Sequence, residues 1–107
     1  MSKIRAIIKR PDEKHGHVTY ISNTLKNLQN TVGGPIEVVY LTGKAALICN
    51  EEGKIRNLPP NFRMGQPPFH DIVCGDVALV GVDGEDFTDL DMDFSVWKML
   101  LERWGNV

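Results

Sequence analysis

The chain has 107 residues, 42% hydrophobic and 24% charged, with a formal net charge of −2. That is the length of one domain with one core and an ordinary soluble composition. It excludes a membrane span, for which no apolar run approaches the roughly 20 residues needed, and a pI near 5.9 lacks the basic footprint of a nucleic-acid binder.

The charge is unevenly spread. Residues 1–66 hold ten Lys/Arg against five Asp/Glu, and residues 67–107 hold two against nine. This predicts an internal electrostatic match, two faces for different partners, or simply a solvated surface. The start, MSKIRAIIKRPDEK, has no long apolar region and no small-residue cleavage site, so it does not read as a secretory signal. Cys49 and Cys74 do not form CxxC and sit in apolar runs, as expected of reduced, buried thiols in a cytoplasmic protein.

In chain order, Lys3–Arg10 reads as a strand with Ile4, Ala6 and Ile8 on one face and Arg5, Ile7 and Lys9 on the other. The second face is largely basic, which predicts a wet or ligand-facing side. Pro11 stops the strand, and residues 12–18 read as a loop hinged at Gly16. From Thr19 the spacing of Ile21, Leu25, Leu28 and Val32 predicts a helix, capped by Ser22 or Asn23 and ended by Gly33-Gly34-Pro35. Ile36–Thr42 and Ala45–Cys49 form a hairpin around Gly43-Lys44. Asn50–Gly53 is a turn, and Lys54–Arg56 a short strand. Residues 57–69, with four prolines and one glycine, read as an ordered loop. Val77–Val82 is a central strand, and an acidic loop leads to a helix from Asp93 with the stripe Phe94, Trp97, Leu101, Trp104. The order β-α-β-β-β-β-α predicts one α+β domain over residues 1–107. It is a single mixed, mostly antiparallel sheet with two helices packed on it, the first helix bridging parallel strands by a right-handed crossover.

Two constellations could bind a ligand. Arg10, Lys14, His15 and His17 precede the expected helix start, where Thr19, Tyr20, Ser22 and Asn23 would add donors, a stacking ring and free amides. Cations converging on a helix N-terminus hold phosphate. The alternative is a solvated basic loop that only caps its helix. In the segment NLPPNFR, Asn57 and Asn61 could order the loop and Arg63 could reach a ligand. The alternative is a proline-stiffened connection with Phe62 and Phe69 in the core.

Neither GxGxxG nor GxxxxGK[ST] is present, and neither the histidines nor the acidic run Asp83–Asp93 has metal-ligand spacing. Apolar neighbours make both thiols poor nucleophiles. The expectation is no catalytic residue, no metal and no cofactor.

The segments IRAIIKRPDEKHGHVTYISNTLKNLQNTVGG, ICNEEGKIRNLPPN and GVDGEDFTDL resemble a small domain family of unknown function in bacteriophages and mobile elements, mostly of Gram-positive bacteria. The resemblance covers nearly the whole chain and carries no assigned mechanism. It implies a phage accessory protein in the host cytoplasm that interferes with host defence. Joined to the basic loop, it suggests a homo-oligomer sequestering a nucleotide-like defence signal. The alternative is a protein that presents Asp83–Asp93 to a basic host protein and inhibits it.

Overall fold

A computed structural model describes residues 3–66 and 68–106. The elements are β1 (Lys3–Lys9), β2 (His17–Ser22), α1 (Leu25–Val32), β3 (Ile36–Thr42), β4 (Ala45–Asn50), β5 (Pro60–Gln66), β6 (Phe69–Cys74), β7 (Val77–Asp83), β8 (Asp86–Thr88) and α2 (Phe94–Arg103). Six strands form one sheet in the order β2-β1-β7-β4-β3, with β8 on the end of β7, and β5-β6 form a separate ribbon. This is the α+β fold expected, a mostly antiparallel sheet carrying two helices.

Three details differ. Residues 17–22 form a strand rather than loop and helix start. Val18, Thr19, Tyr20 and Ile21 are β-branched or aromatic and favour a pleated surface, and they pair with β1 from Lys3↔Ser22 to Ile8↔His17. Gly16 permits the return: its φ is +88°, and a Cβ there would overlap the carbonyl of Ile8. The helix therefore starts only at Leu25, with Thr24 Oγ1 accepting the amide of Asn27 at 3.1 Å, so the cap is neither Ser22 nor Asn23.

Second, α1 joins no parallel pair of neighbouring strands, because every registered ladder is antiparallel. It links β2 at one edge to β3 at the other. Four strand spacings are about 19 Å, and eight helical residues span about 12 Å, so the short links on either side of α1 make up the rest.

Third, the proline-rich stretch is the β5-β6 ribbon. Pro60 is the first residue of β5, where no ladder bond is lost, and Pro68 lies in the turn. Residues 51–57 are turn, so Lys54–Arg56 is not a strand. Phe62 enters the core as the connecting-loop reading required, whereas the side chain of Phe69 lies outside the described residues.

The helices cover opposite faces. Leu28 and Val32 of α1 pack on Ile4, Ala6, Ile8, Ala46, Ile48, Ala78 and Val80. The three alanines let a short helix sit close to the strands. Opposite, Trp97 and Leu101 of α2 pack with Phe62 and Val73 of the ribbon on Ile7, Leu47, Cys49, Val77 and Leu79. Because both faces are covered, β4 is buried along its whole length. The side of β1 expected to be wet is covered too. Arg5 Nη1 donates to the carbonyls of Leu90 (2.7 Å) and Met92 (2.8 Å), and Lys9 is 3% exposed. The stripe of α2 is as expected, with Asp93 at the N-cap position but no side-chain capping bond.

Candidate functional site

The register of β1 and β2 decides where the expected anion site goes. Loop 10–16 lies at one end of this hairpin and the start of α1 at the other, five strand steps or about 17 Å away. The basic loop and the helix N-terminus do not meet. Thr19 and Tyr20 lie within β2 opposite Ala6 and Arg5, and Tyr20 is 60% exposed. The carbonyl of Ser22 accepts from the amide of Thr24 and from Asn27 Nδ2, both at 3.0 Å. Asn23 Nδ2 donates to the carbonyl of Phe87 at 2.9 Å. Ser22 and Asn23 are thus engaged by the fold, and Thr19 and Tyr20 are strand residues.

Within the loop, Glu13 is the organiser. Its carboxylate accepts the amide of Arg10 at 3.0 Å, faces His17 Nδ1 at 2.8 Å and lies 3.7 Å from Arg10 Nη1. Burial acts to raise the Glu13 pKa, but the hydrogen bond with His17, the Arg10 amide and the nearby Arg10 guanidinium outweigh it and hold it below the usual carboxylate range. Lys14 is exposed. His15 points the other way: its carbonyl accepts the indole N–H of Trp97 at 2.9 Å, and its Nε2 is shielded without a hydrogen-bond partner. Loss of hydration, then the cations Lys14 and Lys98, push the His15 pKa down.

The asparagines of NLPPN are structural. Asn57 takes the left-handed conformation, φ +55°, that ends the turn. Asn61 Oδ1 accepts from Lys9 Nζ at 2.6 Å, and its Nδ2 donates to the carbonyls of Lys9 (2.8 Å) and Gly75 (2.7 Å). With both polar atoms engaged, Asn61 pins the ribbon to β1. The backbone of Arg63 is bound on both sides by the side chain of Asn106, at 3.0 and 2.7 Å.

Of the eleven residues expected to bind ligand, Arg10 alone lines the groove that does form beside the basic loop. This groove, about 560 Å³, is lined by Arg10, Pro11 and Asp12, the last turn of α1, Arg56, Leu58, Pro59 and Asp76. It lies at the C-terminal end of α1, the end a helix dipole makes negative. Two features offset that. Gly33, at φ +80°, turns its amide and that of Gly34 back to the carbonyl of Gln29, and Arg56 Nη1 donates to the carbonyl of Gly33 at 2.9 Å. The remaining donors of Arg56 are unengaged among the described residues. Arg10 is 53% exposed at its side chain, with Nε only 3.8 Å from Asp76 Oδ2, a loose pair that a ligand can replace. Two arginines and two aspartates line the groove together with the apolar Val32, Leu58 and Pro59. Sequence reasoning missed Arg56. Its signal was present, a cation between the NEEGK turn and NLPPN. The segments KRPDE, VGG and NLPPN, which carry the resemblance, all meet here.

The thiols lie elsewhere, on a separate cleft. Burial, then the neighbouring Glu37, push Cys49 up to about 12, so it is a neutral thiol at physiological pH. Among the described residues no three His, Cys, Asp or Glu gather as a metal site, and no helix is long and apolar enough to cross a membrane.

The family model described as "Domain of unknown function (DUF3846)" matches residues 4–103. The chain belongs to this family. No curated protein and no solved structure matches it. The DUF3846 match runs from β1 into the last residue of α2, so both faces of the sheet and the whole groove fall inside it.

Proposed function

We propose that this protein is a non-catalytic binding protein that holds a small nucleotide-like ligand in the groove between loop 10–16 and the end of α1. The observation that carries this is the pair Arg10 and Arg56 lining one groove of about 560 Å³, a volume in the range of small-molecule sites. An anionic end group would take the free guanidinium donors, as planar forks suit phosphate oxygens. Asp12 and Asp76 balance the charge, and they favour a ligand that also brings hydroxyl or amino donors. A nucleotide brings both. The groove is open on one side, and a second copy laid over it would enclose the ligand, hence a homo-oligomer. The setting, a phage accessory protein holding a defence signal in the host cytoplasm, rests on the resemblance alone.

Thermal-shift measurements across cyclic nucleotides and ADP-ribose derivatives test the reading, with native mass spectrometry for stoichiometry and retained ligand. A ligand at a hundred times its Kd adds about 2.7 kcal/mol of stability. Arg10→Ala with Arg56→Ala abolishes that shift, while Lys14→Ala, outside the groove, leaves it. A folded sample that no panel member stabilises would sink the proposal.

A second reading has its own observation. Asp83, Glu85 and Asp86 are exposed around the β7-β8 turn, and no ion pair engages them among the described residues. Asp89 is different, since its carboxylate accepts the amide of Arg5 at 2.7 Å. Protein capture through this surface would therefore fail with Asp83→Asn and Asp86→Asn, without touching Asp89.

A further inference from the structure

Strand β3 is a free edge. β4 pairs with its inner side, and no strand pairs with its outer side among the described residues. Exposed edges are normally blunted by lysine, proline, shortness or a covering element, because their unpaired N–H and C=O groups template another strand. Of these devices IEVVYLT lacks lysine, proline and shortness. It runs seven residues with no proline, no lysine and one charge, Glu37, and its register breaks only near the end, between Tyr40 and Thr42. Tyr40 is 63% exposed.

Beside this edge, on the α2 side of the sheet, a cleft of about 320 Å³ separates β3-β4 from the ribbon. Val39, Met64, Val73 and the Cys49 thiol form its floor. Ile55, 85% exposed, and Ile72 form an apolar lip. Its walls carry Glu37, Glu51 and Asp71 against one cation, Lys54, whose ammonium is held by Asp71. An apolar floor under an acidic rim suits a cation on an alkyl stem.

We propose that β3 and this cleft form a docking site for an extended basic segment of another protein, which adds to the sheet as a strand and lays a lysine or arginine into the cleft. Side chains of an added strand alternate between faces. Every second one lies on the side of Glu37 and Val39 and reaches the cleft, and the others run beside Val38 and Tyr40. The segment therefore alternates basic and apolar residues, with main-chain bonds giving affinity and the cleft giving selectivity. A second copy of this chain is the poorer occupant. Its own β3 contains no lysine or arginine, so it would bring Glu37 and no cation to an acidic cleft.

The probe is a capped peptide of seven residues, the length of β3, alternating lysine and valine. The control has glutamate in place of lysine. Titrated into the ¹⁵N-labelled protein, the lysine peptide shifts amides of 36–42 together with those of Gly53, Ile55 and Ile72, and slows exchange along β3. Affinity falls as NaCl rises from about 50 to about 300 mM. Glu37→Lys weakens binding about tenfold. Lys54→Met tightens it several-fold by releasing Asp71, an opposite sign that generalised unfolding would not produce. Both positions are exposed, and the spectrum of each variant reports its fold. The proposal is overturned if the glutamate peptide binds equally, or if shifts map only to the Asp83–Asp86 turn. It is equally overturned if cleft amides move without protection of β3, or if the protein alone is a dimer with β3 already protected.

Discussion

On the α1 side of the sheet, the side chains of Leu28 and Val32 pack on Ile4, Ala6, Ile8, Ala46, Ile48, Ala78 and Val80. On the α2 side, where the rings of Phe62, Trp97 and Trp104 lie 5.7–6.1 Å apart, Lys9, Cys49 and the Nε2 of His15 are also shielded from water. The first face is held mainly by apolar packing, with one buried neutral side chain, Asn50, whose Nδ2 donates to the carbonyl of Val32 at 3.1 Å. The other combines packing with polar groups that need partners once removed from water. The charges that look like a surface in the sequence are therefore part of the interior on that side. The two faces should fail in different ways.

The largest separation should come from truncating each helix's anchor. Trp97→Ala removes a fully buried indole, and it also orphans the carbonyl of His15. Loss at the upper end of about 3–5 kcal/mol is expected. Leu28→Ala should cost about 2–3 kcal/mol, low in the range for leucine, because a helix of eight residues can settle onto the alanines beneath. Urea midpoints at unchanged m-value measure both. Equal losses would erase the asymmetry.

A finer test isolates the buried cation. Lys9 Nζ has neutral acceptors, Asn61 Oδ1 and the Asn61 carbonyl at 3.4 Å, plus the Phe62 ring at 5.7 Å. Burial lowers the Lys9 pKa, offset in part by Glu13 and Asp12. Asn61→Ala strands the ammonium and frees two carbonyls, for a loss of about 1–3 kcal/mol. Adding Lys9→Met removes the stranded charge. The double variant should then be more stable than Asn61→Ala, a coupling that a double-mutant cycle reads directly. Simple additivity would mean that Lys9 is not held by Asn61.

The same contrast explains how much of the molecule could be read in advance. Patterns set by one element on its own were legible: the alternation of β1, the Gly33-Gly34-Pro35 stop, the β3-β4 hairpin and the stripe of α2. What depends on a partner element was not. Ile21 falls in phase with Leu25, Leu28 and Val32, and only the ladder to β1 makes it a strand residue. Prolines masked β5 because they sit at its start and in its turn, where a strand tolerates them. The groove was half legible. Arg10 is visible as a cation in a loop, but its neighbour Arg56 is brought in by a bond to the end of α1, which no spacing records.

The smallest effect is also the most specific to the α2 side, because the buried residues of the α1 face contain no titratable group. His15 has a folded pKa below its ordinary 6.5, through burial and through Lys14, Lys98 and Lys9, with Glu102 opposing. The unfolded chain therefore takes up this proton first. Its contribution is complete above pH 6.5 and is lost as pH falls from there toward the folded value. Cys49 acts at the other limb. Its folded pKa, about 12, exceeds the ordinary 9.0, so the unfolded thiol ionises first, and stability declines as pH rises from 9 toward 12. His15→Gln should flatten the slope just below pH 6.5, and Cys49→Ala the slope above pH 9, each leaving the other limb in place. Unfolding midpoints at intervals from pH 5 to 11 separate the two. If Leu28→Ala altered either slope as much as these variants do, titration would not belong to one face, and the division between a face with buried titratable groups and one without would fail with it.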